Sequence, residues 1–370
     1  MNEAASIPLS AQFAEILVSD LEIFVSELKN LNSSETAEIM ASAREKMQKD
    51  EILGVIDESA ISFGNMVAVD GGNNVLNVGS GSQCFILAVS YSLKTGCDPI
   101  FRMRRICFDS SEPSGLMYGV RNALELALIN ETNEAESFCI VDNSWVSLLQ
   151  TVNRTIAQYK DASENDRDVI RPYLDEMLSE RGSFISALKN PRNIAMSKSG
   201  ISSHYSKKYT DERLPLADKI FLLGILEAGE YTKPISLNSG EFGQLNVHPD
   251  PVFKTKDEVR DIYNSKLSST GSHGLCMIYF RPFPWSPIKR IEFHKSLIQG
   301  DGSLFQSMLK TVSQSMATPT IMEPLEQFLV DEVVKRHTGR LPGVYQTAGM
   351  ANLKDFSSPF AMQLVTKMRT

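Results

Sequence analysis

The sequence has no Cys-x-x-Cys pair, no long apolar run and no excess of basic residues. Its five cysteines, Cys84, Cys97, Cys107, Cys139 and Cys276, form an odd set. Most sit in apolar runs such as QCFILAV and SFCIVD, as buried free thiols in a reducing compartment do. The five histidines show no ligand spacing, so nothing points to a structural zinc site. No apolar stretch approaches the roughly 18 to 20 residues that span a bilayer. The N-terminus, MNEAASIPLSAQFAEILVSDLE, lacks a basic leader and carries acids inside its apolar stretch. The expectation is a cytoplasmic protein with no membrane association. With 37 Lys and Arg against 45 Asp and Glu, the formal net charge is −8, unlike domains that coat nucleic acid without specificity. A cluster of acids ringed by local cations stays compatible with that balance.

What is present is ordinary globular material: 370 residues, 42% hydrophobic and 22% charged, enough for one large core or two medium ones. Residues 7–50 carry apolar side chains at three- and four-residue spacing and predict helices, with a serine N-cap at the start of SSETAEIMASAREKM. From 61 the pattern changes. SFGNMVAVDGG predicts a strand that ends in a tight Asp-Gly-Gly turn. QCFILAVSYSL and IFRMRRICF predict two more strands, making an antiparallel meander. SEPSGLMYGVRNALELALINE predicts an amphipathic helix, and SFCIVDNSW a fourth strand that is apolar on both faces, as a central strand is. A charged helical excursion follows over about 143–190. Strand character returns at 192–198, 219–226, 274–283 and 288–293, and the tail reads as helical. The fold class expected is α/β: an RNase H-like mixed sheet flanked by helices, with an N-terminal helical segment over 1–60, the main domain over 61–370 and a helical insertion. Other α+β and α/β sheets fit the periodicity equally well.

Three carboxylates stand where these elements would converge. Asp70 closes VAVD, Asp142 closes CIVD, and Glu125 lies in the helix NALELAL. If the two strands are neighbours and the helix crosses them, the three acids meet, and adjacent like charges need a cation to neutralise them. Hard divalent ions, Mg²⁺ or Mn²⁺, take oxygen ligands of this kind, and two ions about 3.5 to 4 Å apart can drive phosphodiester cleavage. Taken singly, each residue has a plainer reading. Asp before Gly is a common turn former, a helical Glu is commonly solvated, and Asp142 before Asn143-Ser144 suits an N-cap.

With those residues in view, the chain resembles the NurA nucleases, RNase H-like enzymes of DNA-end processing that partner the hexameric HerA translocase. The resemblance runs from about residue 60 to the C-terminus, through five short motifs in order: VAVDGG, RNALELAL, CIVDNSW, NIAMSKSGISSHYSK and MIYFRPFPWSPIKRIEF. It implies Asp70, Glu125 and Asp142 as metal ligands, Lys198 as a catalytic cation, and Arg290 and Glu292 as an Arg-x-Glu pair. The C-terminal YQTAGMANLKDF resembles the family segment that runs from Tyr-Pro to Ala-His, making Tyr345 and Asn352 the candidates for a fourth site member. This chain departs from that segment: Gln346 replaces the proline and Asn352 stands where histidine is expected, while Asn143 replaces a glycine earlier on. Asparagine coordinates through its carbonyl but cannot shuttle a proton.

The function this resemblance implies is a Mn²⁺- or Mg²⁺-dependent DNA nuclease with two ions, acting as a 5′-to-3′ exonuclease and single-strand endonuclease. Its implied setting is a homodimer docked on a HerA-type hexameric ATPase, in DNA repair or defence against foreign DNA. The departure at Asn352 motivates the alternative of a catalytically weakened DNA-binding or regulatory subunit. An actin-like phosphotransferase lacks the second Asp-Gly loop it would need, and DGGNNVLNVGSGSQ lacks the Gly-Lys-Ser/Thr ending of a P-loop. For DNA contact the sequence offers Arg102 and Arg104 on one face of a strand, and Lys207 and Lys208 interleaved with His204, Tyr205 and Tyr209 in a loop suited to phosphate contact and base stacking.

Overall fold

The fold was described from a computed structural model over residues 34–64, 66–78, 81–93, 98–132, 137–178, 183–197, 202–237, 274–316 and 318–352. The run Met66–Val69 is buried on both faces and opens a long strand, β2 (Met66–Val78). It pairs antiparallel with β3 (Gly81–Ser92), and β3 in turn with β4 (Ile100–Phe108), giving the meander the sequence predicts. A helix, α2 (Ser114–Glu131), then returns the chain to β5 (Phe138–Val141), which lies parallel to β2 on its other side. The helical excursion is α3 (Trp145–Asp161), α4 (Glu164–Leu178) and α5 (Ser183–Lys189), and it ends in β6 (Asn193–Ser197), parallel to β5.

The sheet extends further through β10 (Lys289–His294), β9 (Leu275–Phe280), β7 (Glu230–Thr232) and β1 (Leu53–Val55), with β8 (Ile235–Ser236) beside β9. The order is β1-β7-β9-β10-β6-β5-β2-β3-β4, a ten-stranded mixed sheet once β8 is added. The protein is thus mixed α/β, its sheet flanked by helices. The short helices α6 (His204–Thr210) and α7 (Asp218–Leu223) follow β6, and α8 (Ser303–Ser315) and α9 (Leu325–Asn352) follow β10.

Alternation along the strands sorts the core into two layers. Val69, Cys139, Val141 and Ala195 face α2 to α5, and α1 (Ser34–Lys49) joins that layer through Ala43 and Met47. Met66, Ala68, Ile140, Ile194 and Ile291 face the other way, onto α8 and onto Val330 and Val334 of α9. Burying each Val, Ile or Met among them contributes about 1.5 to 3 kcal/mol relative to exposure. Among the described residues no helix is long and apolar enough to cross a membrane.

Two expectations are corrected here. The stretch KIFLLGIL is not a strand. Asp218–Leu223 is a helix, and the buried Asp218 carboxylate accepts from the backbone N–H of Tyr205 at 2.8 Å and of His204 at 3.1 Å. A short apolar run carries no period that separates the two states, and the carboxylate at its head joins it to α6. The Asp70-Gly71-Gly72 stretch is not a turn either, because β2 runs on for eight residues past Asp70, to Val78. The predicted helices before Ser34 and after Asn352 fall outside the described residues.

Candidate metal centre

Val69 lies opposite Val141 in the parallel pair of β2 and β5, so Asp70 and Asp142 are the next residues on two adjacent strands. β5 stops there. The helix that follows is capped by Ser144, whose Oγ accepts from Ser147 N at 2.9 Å, so the N-cap reading of Asp142 does not hold. The Asp142 Oδ1 accepts instead from Gln327 Nε2 at the start of α9.

The two glycines after Asp70 let helices approach from both sides of the strand. A Cβ on Gly71 would run into the Glu125 carboxylate and sit 2.8 Å from Arg121 Cγ. A Cβ on Gly72 would be 2.6 Å from both Thr338 Oγ1 and Val334 Cγ1 of α9. Real Cβ atoms do not come so close, so α2 and α9 owe their positions to these absent side chains. Glu125 thereby reaches β2 beside Asp70, with Arg121 Nε 3.2 Å from its Oε1.

The third carboxylate of the cluster comes from α9. Oxygens of Asp70, Asp142 and Asp331 lie within 4.8 Å of one another, all partly exposed, at the head of a cavity of about 400 Å³. Sequence reasoning missed Asp331. Its stretch, FLVDEVVKRH, reads as a solvated helix because Asp331 pairs with Lys335 one turn on, at 2.7 Å. The available signal was position: Asp331 shares a helix flank with Gln327 and Lys335 and is flanked by the buried Val330 and Val334.

The electrostatics mark the cluster as a cation site. The Asp70 carboxyl is pushed up to about 8, first by burial and then by the charges of Glu125, Asp142 and Asp331, while the Gly71 N–H opposes them. Glu125 is also raised, first by burial, with Arg121 opposing and Asp142 adding. The donors are all carboxylate oxygens with no thiolate or imidazole among them, a set that suits a hard divalent ion such as Mg²⁺ or Mn²⁺.

The other sequence-predicted residues lie elsewhere. Tyr345 is on α9, 14 residues beyond Asp331 and so about 21 Å along the helix axis. Its ring packs on Phe85 with centroids 4.9 Å apart, and the structure does not bring it to the carboxylates. Asn352 is the last residue of that helix, and Lys198 falls outside the described residues. Arg290 and Glu292 lie on β10, where Arg290 Nη2 is 2.7 Å from Glu292 Oε1. The wholly buried Glu292 is raised by burial, against which Arg290 and the N–H groups of Val146 and Trp145 act.

Arg102 is paired with Glu131, and Arg104 donates to the Met103 carbonyl at 2.9 Å. Lys207 and Lys208 are exposed, but on the helix α6 and not in a loop. Tyr205 and Tyr209 are buried against the core at 2% and 3% exposure, which corrects the base-stacking expectation for them.

No protein-family model matches the chain, and no curated protein matches it. Solved structures do. The crystal structure of the NurA nuclease from Sulfolobus solfataricus is similar at a TM-score of 0.53 and 13% identity, covering 89% of this chain and 97% of that one. A further crystal structure of NurA is similar at 0.52 and 11% identity, covering 96% of this chain and 100% of that one. A crystal structure of NurA with manganese gives 0.48 and 11%, over 90% and 98%. The fold of this chain is that of the NurA structures.

Proposed function

We propose that the protein is a divalent-metal-dependent deoxyribonuclease whose ions are held by Asp70, Asp142 and Asp331, with Glu125 completing the set. The observation that carries this is the convergence within 4.8 Å of three carboxylates, two from adjacent parallel strands and one from α9. A NurA-like fold around them adds support. Bound there, Mg²⁺ or Mn²⁺ supplies a water of lowered pKa and neutralises charge on the phosphate.

The chain's own residues do the rest. β2 and β5 hold Asp70 and Asp142 rigidly in register, and Gln327 orients the Asp142 carboxylate from α9. Arg121, 3.2 Å from Glu125, opposes the protonation that burial favours there. Lys335, at the mouth of the cavity, offers a cation to the phosphate of an entering strand. Asp331 brings a carboxylate to the cluster without calling on Asn352, which favours an active enzyme over a weakened regulatory subunit.

The finer reading follows the resemblance: 5′-to-3′ exonuclease and single-strand endonuclease activity, Lys198 as a further cation near the scissile phosphate, and two ions per site. A homodimer, a HerA-type hexameric ATPase partner, a cytoplasmic location and the division at residue 60 belong to the same reading. The test is cleavage of end-labelled single- and double-stranded DNA with Mg²⁺ and with Mn²⁺, alone and with a HerA-type motor. Cleavage that disappears in Asp70→Ala supports the proposal. Undiminished cleavage in that variant overturns it.

A further inference from the structure

We infer that the outer edge of β4 is a docking site for an extended, acidic segment of another protein, which joins the sheet as an added strand. The surface lies two strands away from β2, apart from the carboxylate cluster.

The backbone of β4 is open. It is the last strand on its side of the sheet and pairs with β3 alone among the described residues. Its register with β3 runs unbroken from Ile100 opposite Ser90 to Phe108 opposite Ser82, so no bulge bends it. Alternate residues of an antiparallel edge strand turn both N–H and C=O outward, which leaves about four or five of its nine residues as a free ladder. At the other end of the sheet the edge strand β1 has only three residues. Folded proteins blunt a free edge by keeping it short, or with lysine, proline or a bulge. IFRMRRICF is long, straight in register and free of lysine and proline.

The side chains of β4 suit a protein partner. Ile100 is 48% exposed, Phe101 46% and Met103 36%, three large apolar residues within four positions. Alternation sets Phe101, Met103 and Arg105 on the face that carries α9, where Phe101 meets the His337 ring edge-on at 5.4 Å and Arg105 lies over the Tyr345 ring. Ile100, Arg102 and Arg104 share the other face. Aromatic residues, methionine and arginine are the types enriched where proteins meet, and lysine is depleted there.

Charge selects the occupant. In a chain of net charge −8, β4 carries three arginines and no acid. Arg102 is paired with Glu131, while Arg104 and Arg105 have no acidic partner among the described residues. An added strand draws affinity from the backbone ladder and specificity from its alternate side chains. Beside β4 those side chains meet cations that a carboxylate answers and apolar groups that a valine answers. A second copy brings the wrong charge, because antiparallel pairing about Met103 sets Arg102 of each copy against Arg104 of the other. Nucleic acid answers the arginines but leaves the ladder and the apolar side chains unused.

The test is fluorescence anisotropy on the full chain with a labelled ten-residue peptide that alternates glutamate and valine, beside a lysine-valine peptide of the same length. The acidic peptide is expected to bind at least tenfold more tightly, and its binding to slow amide hydrogen exchange in β4. Arg104→Glu is expected to weaken the acidic peptide at least tenfold and to reverse the preference between the two. Arg104→Gln gives the same trend with a smaller change, and serves if the charge reversal disturbs folding. Absent binding, equal binding of the two peptides or unchanged exchange in β4 overturns the inference. So does oligo(dT) that displaces the bound peptide, which assigns the edge to nucleic acid. A protein dimer that the peptide takes apart, read by sedimentation, overturns it in favour of a second copy.

Discussion

The Glu125 carboxylate stands where a side chain on residue 71 would be, and glycine at that position is what admits it to β2 beside Asp70. Gly71→Ala is therefore expected to displace Glu125 and Arg121 together. Overfilling of this kind typically costs about 1 to 3 kcal/mol. Urea denaturation should show that loss, and nuclease activity should fall at least tenfold. Wild-type activity in a folded Gly71→Ala protein would show that Glu125 does not work from this position.

Asp331 and Tyr345 share a helix but not a site. Asp331→Asn is expected to weaken Mn²⁺ binding by tenfold or more and to reduce cleavage as far as Asp142→Asn does, read by metal titration and gel assay. Tyr345→Phe keeps the ring contact with Phe85 and is expected to leave cleavage within twofold of wild type. The reverse pattern would move the fourth member of the site to the C-terminal end of α9.

The Asp70 carboxyl, pushed up to about 8, fixes the sign of a pH effect. Between about pH 4 and pH 8 the folded, metal-free protein holds a proton that the unfolded chain has released. Stability without metal therefore falls as pH rises through that window and levels off above it. Divalent ions displace the proton, so their affinity rises over the same range. Calorimetry should show a larger Tm gain from Mn²⁺ at pH 8 than at pH 6, and an equal gain at both would contradict the assignment.

Lys219 provides a second titration, of opposite sign. Its ammonium is lowered to about 8, first by burial and then by nearby Arg290, with Glu292 opposing both. Between about pH 8 and 10.5 the unfolded chain holds the proton that the folded chain has lost, so stability rises with pH there and the cost is complete below about 8. Wild type should gain stability in urea between pH 7.5 and 9.5, and Lys219→Met should lack that gain.

Much of this was legible in the sequence, for identifiable reasons. The meander and β5 announce themselves as short apolar runs bounded by turn residues, and α2 as a longer run without proline. Asp70 and Asp142 stand out because each ends an apolar run that only a central strand would carry. The chain beyond Asp70 was misread because Asp-Gly-Gly is locally the chemistry of a turn, and the reason for the glycines is tertiary. Gly71 makes room for α2 and Gly72 for α9, helices that begin 43 and 253 positions later in the chain (114 against 71, and 325 against 72). Asp331 was hidden for the same kind of reason: beside Lys335 it looks like an ordinary helix-surface pair, and only the docking of α9 on β2 gives it partners.

That docking has a consequence for how the cluster holds together. Asp70 and Asp142 belong to the sheet, while Asp331 belongs to a helix far along the chain that leans on Val330, Val334 and a strand thinned to glycine. An ion shared by all three would be a cross-link between distant segments. Without it, the proton on Asp70 is what keeps the helix and the sheet from repelling each other at neutral pH. With it, all three carboxylates could be charged and still clamp α9 down, so the cation would act as a latch on the helix as well as a reagent.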